Sequence, residues 1–234
     1  MRRPEKAAGD RLFPHLSFRE AMMRSLAVVA FATVLAHSAG ASSRSDLKAG
    51  YNALLRHQYG EAIDLVTNAI EAGDLRASEQ ALAHHWRGAA YLKSNQDEAA
   101  IADLDRALAL DPKLATAYGD RGIAHRRQGR YELAIADYSE AIRLWPNWHD
   151  WYVNRGIAYE AVGRHDEAIA DFSKAVFYAP ALVRGYILRA EAHADKNELA
   201  EATADLRRAM RLKPDALVGF PMLAEKFRRL GLVS

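Results

Sequence analysis

Apolar and polar residues follow a helical period through the segment from residue 115 to residue 148. Its second half places apolar residues at positions i, i+4, i+7 and i+11, which form one face of an α-helix: Ala134, Tyr138, Ala141 and Trp145. Pro146 disfavours a helical conformation of the preceding residue and ends this helix. The first half predicts a helix from Ala115 to Gln128 that stops at Gly129, a residue suited to a left-handed C-cap. The segment therefore predicts two helices joined by a short turn.

The same two-helix pattern recurs with a period of 34 residues, at 81–114, 115–148, 149–182 and 183–216. Small residues share one column of the first helices: Gly88, Gly122, Gly156 and Ala190. Large residues share a column of the second helices: Leu104, Tyr138, Phe172 and Leu206. A less regular copy covers 43–76, and four extra residues, 77–80, separate it from the next unit. Because one such hairpin cannot bury its own apolar face, neighbouring units must stack.

These columns, closed by a proline in each of the four regular units, resemble the tetratricopeptide repeat (TPR) family. The resemblance covers residues 43–216. It implies an all-α fold, an α-solenoid of five TPR-like helix-turn-helix units, with a concave groove lined mainly by the first helix of each unit. Residues 217–230 would add a C-terminal capping helix, and their polar side chains suit an exposed end: Glu225, Lys226, Arg228 and Arg229.

An aspartate recurs beside the packed face of the second helices, at Asp103, Asp137, Asp171 and Asp205. A carboxylate there needs a partner, because its desolvation alone is costly. An arginine column in the first helices supplies one: Arg87, Arg121, Arg155 and Arg189. Pairing between units would leave the first arginine facing Leu65 and the last aspartate facing Leu223. We therefore predict structural, non-catalytic pairs within units: Arg87–Asp103, Arg121–Asp137, Arg155–Asp171 and Arg189–Asp205.

The resemblance also places candidate binding residues on the first helices and implies an apolar groove floor with a rim of mixed charge. These candidates are Tyr51, Leu54, His85, Ala89, Lys93, Ile123, Arg126, Val153, Ile157, Glu160, Ile187 and Glu191. Such a surface suits an extended peptide or an amphipathic helix. Family members that hold a terminal carboxylate use Lys and Asn one turn apart. The corresponding positions here begin with His85 and Ala89, so that mode of binding is not implied.

Tryptophan is concentrated at one junction between units, LWPNWHDW, at residues 144–151. Trp145 continues the apolar face of its helix and is expected in the core. Two interpretations stay open for Trp148 and Trp151. They pack at the turn between units, or they form an aromatic recognition patch in which Trp148 is the more exposed member.

No pattern typical of catalysis or of a metal centre stands out. His84 and His85 are adjacent on a helix and point apart, so they are not an i, i+4 ligand pair. The chain shows no Ser–His–Asp order, no glycine-rich phosphate loop and no acidic metal cluster. Cysteine is absent, which excludes disulfides and thiolate chemistry. The sequence therefore predicts no catalytic residue, no metal site and no cofactor.

Residues 22–41 have the three parts of a secretory signal peptide: a basic start at Arg24, an apolar run over 26–36 and small residues at 39–41. We predict cleavage between Ala41 and Ser42, and residues 1–21 are interpreted as an extension ahead of a true start at Met22 or Met23. The alternatives are an uncleaved anchor and a buried core helix. Residues 42–234 keep 26 basic and 27 acidic residues, a net charge of −1, which gives no electrostatic argument for nucleic-acid binding.

Together these features favour a non-catalytic scaffold of the bacterial cell envelope, exported to the periplasm, that holds a protein or peptide partner in its groove. The alternatives are a membrane-tethered assembly factor and an accessory subunit of an enzyme that acts on envelope polymer. Self-association through the ends of the repeat stack also stays open. The sequence does not identify the partner.

Overall fold

The computed structural model describes residues 41–233, and this part of the chain contains helices and no strand. The predicted all-α solenoid is confirmed. The predicted extension and nearly all of the signal peptide, residues 1–40, lie outside the described residues. No helix in the described part is long and apolar enough to cross a membrane. The helices are α1 (Ala41–Leu55), α2 (Tyr59–Glu71), α3 (Ala77–Lys93), α4 (Asp97–Leu110), α5 (Ala115–Arg127), α6 (Tyr131–Leu144), α7 (His149–Ala161), α8 (His165–Tyr178), α9 (Val183–Asp195), α10 (Leu199–Leu212) and α11 (Pro221–Arg229).

The two helices of each unit are joined by a turn that contains one residue in the left-handed region. These residues are His57, Asn95, Gly129, Gly163 and Asn197, with φ between 58° and 75°. Glycine adopts this conformation without a Cβ penalty, and asparagine adopts it more readily than most residues. Gly129, expected as a C-cap, has a φ of 72°. The same turn is thus repeated along the chain, so each unit enters its second helix in the same way.

The core of each unit depends on a small residue of the first helix lying against a large residue of the second. A Cβ atom at Gly122 would lie 2.8 Å from Cε1 of Tyr138, and one at Gly156 would lie 2.6 Å from Cε1 of Phe172. Both aromatic rings are fully buried. The glycine column therefore provides the space that the aromatic column fills, and a larger side chain at either glycine would displace a buried ring.

The units stack so that their first helices lie close together. Helix α3 contacts α5, α5 contacts α7, and α7 contacts α9. Each second helix contacts the first helix of the next unit, but consecutive second helices make no comparable contact among the helices from α3 to α10. The stack consequently bends toward its first helices, so the first helices line its concave face.

The link after the first unit and the C-terminal capping helix show features that the repeat pattern did not predict. Residues 77–80 form the first turn of α3, where the buried Glu79 accepts hydrogen bonds from Arg44 Nε at 2.9 Å and from the backbone N–H of Arg76 at 2.7 Å. The capping helix α11 is shorter than the predicted segment 217–230. Its Phe227 is fully buried and packs in the core of the last unit. The insertion thus anchors the first unit to the second, and one aromatic ring anchors the cap.

Candidate binding groove

The concave face exposes fewer of the predicted groove residues than expected. Five of the twelve candidates are buried against neighbouring helices: Tyr51, Leu54, His85, Val153 and Ile187. The ring centroid of Tyr51 lies 4.5 Å from that of Trp86, and Ile187 belongs to the core of the last unit. All five side chains are thus largely shielded from solvent. Their assignment to an accessible binding surface is therefore corrected.

Three of the seven remaining candidates form a line across three consecutive units. Ala89, Ile123 and Ile157 occupy equivalent positions and are all partly exposed. We call these three residues the floor strip. Glu191 takes the next position of the same column and is also partly exposed. The groove floor thus changes from apolar to acidic in the last unit.

The charged candidates are distributed unevenly along this floor. Lys93 is exposed and Arg126 partly exposed in the N-terminal half, whereas Glu160 and Glu191 are partly exposed in the C-terminal half. Burial raises the pKa of both Glu160 and Glu191, because desolvation disfavours their charged forms more than nearby positive groups favour them. The acidic end of the groove is therefore incompletely neutralised by its surroundings.

Each of the four repeated arginines contacts the aspartate of its own unit. The guanidinium group donates two hydrogen bonds, from Nε and Nη2, to a buried carboxylate. The shortest N–O distances are 2.7 Å for Arg87–Asp103, 2.6 Å for Arg121–Asp137, 2.7 Å for Arg155–Asp171 and 2.6 Å for Arg189–Asp205. Two parallel charge-assisted hydrogen bonds give such a pair a defined orientation. The pairs therefore fix the two helices of each unit relative to one another.

Each arginine also contacts the preceding unit, and this contact was not predicted from the sequence. Its Nη1 donates to a side-chain oxygen of the previous second helix. The acceptors are Thr67 at 3.0 Å, Asp105 at 2.5 Å, Ser139 at 2.9 Å and Ser173 at 3.0 Å. These acceptors share one column once the four inserted residues are allowed for, so the repeat alignment could have revealed them. One guanidinium group thus connects three helices of two units.

The Arg–Asp pair of the second unit has one more donor than the others. His84 Nδ1 lies 2.8 Å from Oδ1 of Asp103. Burial alone would raise the pKa of Asp103, but hydrogen bonds from Arg87 and His84 outweigh it and lower the pKa. Burial prevails at Asp171, whose pKa is raised. The three following units have a tyrosine in the histidine column, and its ring lies 5.6 to 5.9 Å from the guanidinium carbon: Tyr118, Tyr152 and Tyr186.

The tryptophan cluster packs at the junction between units. Trp148 is 7% exposed and Trp151 is 6% exposed, and their ring centroids are 5.8 Å apart. Trp145, which was expected in the core, is only partly buried. A Cβ atom at Gly119 would lie 2.5 Å from Nε1 of Trp151, so this indole fills the space between the third and fourth units. The interpretation as an exposed recognition patch, with Trp148 outermost, is therefore corrected.

Repeated two-helix units, stacked with their first helices inward, define a helical-repeat protein of the α-solenoid class. Models described as tetratricopeptide repeat match residues 113–176 and 153–216, and one described as TPR repeat matches residues 88–129. Together these matches extend over residues 88–216. The chain belongs to the tetratricopeptide repeat family.

Solved structures of MamA proteins share this fold. A crystal structure of MamA protein is 22% identical, with a TM-score of 0.66, and the match covers 78% of this chain and 97% of that chain. A MamA chain from Desulfovibrio magneticus RS-1, described as 41-end, is 17% identical, with a TM-score of 0.67 and coverage of 74% and 96%. No curated protein gives a significant match. At these identities the likeness establishes the fold alone.

Proposed function

We propose that this chain is a non-catalytic interaction scaffold that binds a segment of a partner protein along its concave face. The floor strip carries the proposal: Ala89, Ile123 and Ile157 present apolar surface in line across three units. The first helices also carry exposed or partly exposed charges, Lys93, Arg126 and Glu160, whereas the buried aspartates are held in Arg–Asp pairs. An apolar strip with charged edges suits an extended peptide or one face of an amphipathic helix.

Export to the periplasm is part of the same proposal. One feature supports it, the signal-like pattern of residues 22–41. The mass of the protein purified from cells tests this step. A chain that begins at Ser42 supports the exported scaffold, whereas a chain that keeps the apolar run 26–36 supports a membrane-tethered factor.

Single substitutions to glutamate test the groove. Ile123→Glu and Ile157→Glu place a charge in the floor strip, whereas Leu133→Glu is the matched control, because Leu133 is 51% exposed on the second helix α6. Tyr51 is unsuitable for this test because it is buried. Affinity capture from an envelope extract of the source cells, with helical content compared by circular dichroism, gives the readout.

We expect the wild type and Leu133→Glu to retain the same protein, and the two floor-strip variants to lose it at unchanged helical content. Equal recovery by all four chains would refute binding in the groove. Loss with Leu133→Glu alone would place the binding surface on the second helices.

A further inference from the structure

The structure brings three potential metal ligands from three helices together at the acidic end of the groove. Glu160 lies near the end of α7, His165 begins α8 and Asp195 ends α9. One ligand atom of each residue lies within 4.8 Å of those of the other two, and His165 Nδ1 is 3.1 Å from Oε2 of Glu160. Their separations along the chain match no short metal-binding motif. No metal site was predicted because the three residues form no recognisable pattern in the sequence.

Negative charge exceeds positive charge around these residues. Glu191 adds a third carboxylate, and α11 supplies Lys226, whose Nζ lies 2.6 Å from Oδ1 of Asp195 and 3.7 Å from Oε1 of Glu191. His165 contributes a positive charge only when it is protonated. Lys226 is thus paired with two of the three carboxylates, and Glu160 and Glu191 are partly desolvated. A divalent cation would neutralise this cluster more completely.

We propose that Glu160, His165 and Asp195 form a binding site for a divalent transition-metal ion, with Zn²⁺ as the best match. Imidazole nitrogen and carboxylate oxygen are both zinc ligands, and three protein ligands leave a fourth position for water or for a side chain of a partner. With bonds of about 2.1 Å, tetrahedral ligand atoms lie about 3.4 Å apart. The three groups must therefore close from separations of up to 4.8 Å, and Asp195, whose side chain is 34% exposed, has room to move.

Zinc and Lys226 compete for the same carboxylate. A zinc ion would join α7, α8 and α9 and would replace the ammonium group at Asp195. Zinc binding would thus fasten the fourth unit to the fifth while it releases a polar contact of α11. Removal of the lysine charge should strengthen zinc binding, an effect opposite to that of removing a ligand.

Isothermal titration of the full chain with ZnCl₂ tests the site. We expect one ion per chain, and an affinity at least about tenfold weaker in His165→Ala and in Asp195→Asn. Lys226→Gln should bind several-fold more tightly. His193→Ala is the matched control: His193 Nδ1 contacts Glu198 at 2.7 Å, but this pair lies outside the cluster. Since the chain has no cysteine, thiolate ligands cannot account for the binding.

Cobalt absorption provides an independent readout, because Co²⁺ in a site of low coordination number gives visible bands that His165→Ala should abolish. The absence of binding by the wild type overturns the proposal, as does wild-type affinity in both ligand variants. An equal loss in His165→Ala and His193→Ala also overturns it, because that result indicates scattered surface histidines. Asp195→Asn keeps the test valid if the histidine variant fails to fold, and wild-type affinity in Lys226→Gln refutes the competition.

Discussion

Removal of one arginine from a buried pair should cost more stability than removal of both partners. In Arg155→Met the carboxylate of Asp171 loses hydrogen bonds of 2.7 and 2.8 Å but stays buried. Breaking a buried pair in this way costs about 3–5 kcal/mol. The Arg155 side chain is 18% exposed, so we expect the lower end, about 3 kcal/mol. The double variant Arg155→Met/Asp171→Leu leaves no orphan charge and should lie within about 1 kcal/mol of the wild type.

Urea unfolding followed by circular dichroism measures these free energies, and its pH dependence supplies a second check. Burial already raises the pKa of Asp171 above its ordinary value of 3.8, and loss of Arg155 should raise it further. In the folded variant Asp171 then takes up a proton at a higher pH than it does in the unfolded chain. Acidification should therefore reduce the difference in unfolding free energy between Arg155→Met and the wild type. A loss below about 1 kcal/mol in Arg155→Met, or a double variant as unstable as the single, would refute this reasoning.

The second unit provides a comparison within the same chain. In Arg87→Met the carboxylate of Asp103 keeps His84 as a donor at 2.8 Å. We therefore expect a loss about 1 kcal/mol smaller than in Arg155→Met. Equal losses in the two variants would show that His84 does not stabilise the orphan carboxylate.

Two further substitutions at glycine and one at a buried carboxylate test other parts of the structure. Gly119→Ala should destabilise the protein by about 1–3 kcal/mol, because its methyl group would overlap the indole of Trp151. A Cβ atom at Gly60 meets nothing within 4 Å, so Gly60→Ala should stabilise α2 by about 0.5 kcal/mol. A lower thermal midpoint for Gly60→Ala than for Gly119→Ala would contradict both expectations. Glu79→Gln should cost about 1.5–3 kcal/mol, because it weakens charge-assisted hydrogen bonds such as that from Arg44. Burial would raise the pKa of Glu79, but these hydrogen bonds lower it below 4.5, so its contribution is present at neutral pH and disappears as the pH falls through the lowered value. The protection factors of α1 amides, which correct for the slower intrinsic exchange in acid, should therefore fall as the pH is lowered, and unchanged protection factors would argue against the assignment.

The helices could be predicted from sequence because their limits depend on local chemistry. Helix α6 was expected to stop before Pro146, and it spans Tyr131–Leu144. The burial of Val153 and Trp148 could not be predicted in the same way. A column of the repeat defines a face of a helix, but the approach of the neighbouring helix decides whether that face is open.

The cluster at the end of the groove illustrates the same limit. Glu160, His165 and Asp195 meet because a turn and two helix packings bring three chain segments together. None of the three residues repeats in the neighbouring units, so the periodic pattern contains no trace of them. Residues that depart from the repeat are therefore the ones that can form a site present in a single unit.

The pairing of each buried aspartate inside its own unit has a consequence for how such a chain can change in length. If residues 115–148 were deleted, Arg155 would face Asp105 in place of Ser139, and Asp105 already accepts a hydrogen bond from Arg121. No buried carboxylate would lose its arginine. Recombination at the borders of the 34-residue period can therefore add or remove a unit without creating an orphan charge. Evolution can adjust the length of the solenoid, and with it the length of partner that the solenoid accommodates, while the interior of every unit stays the same.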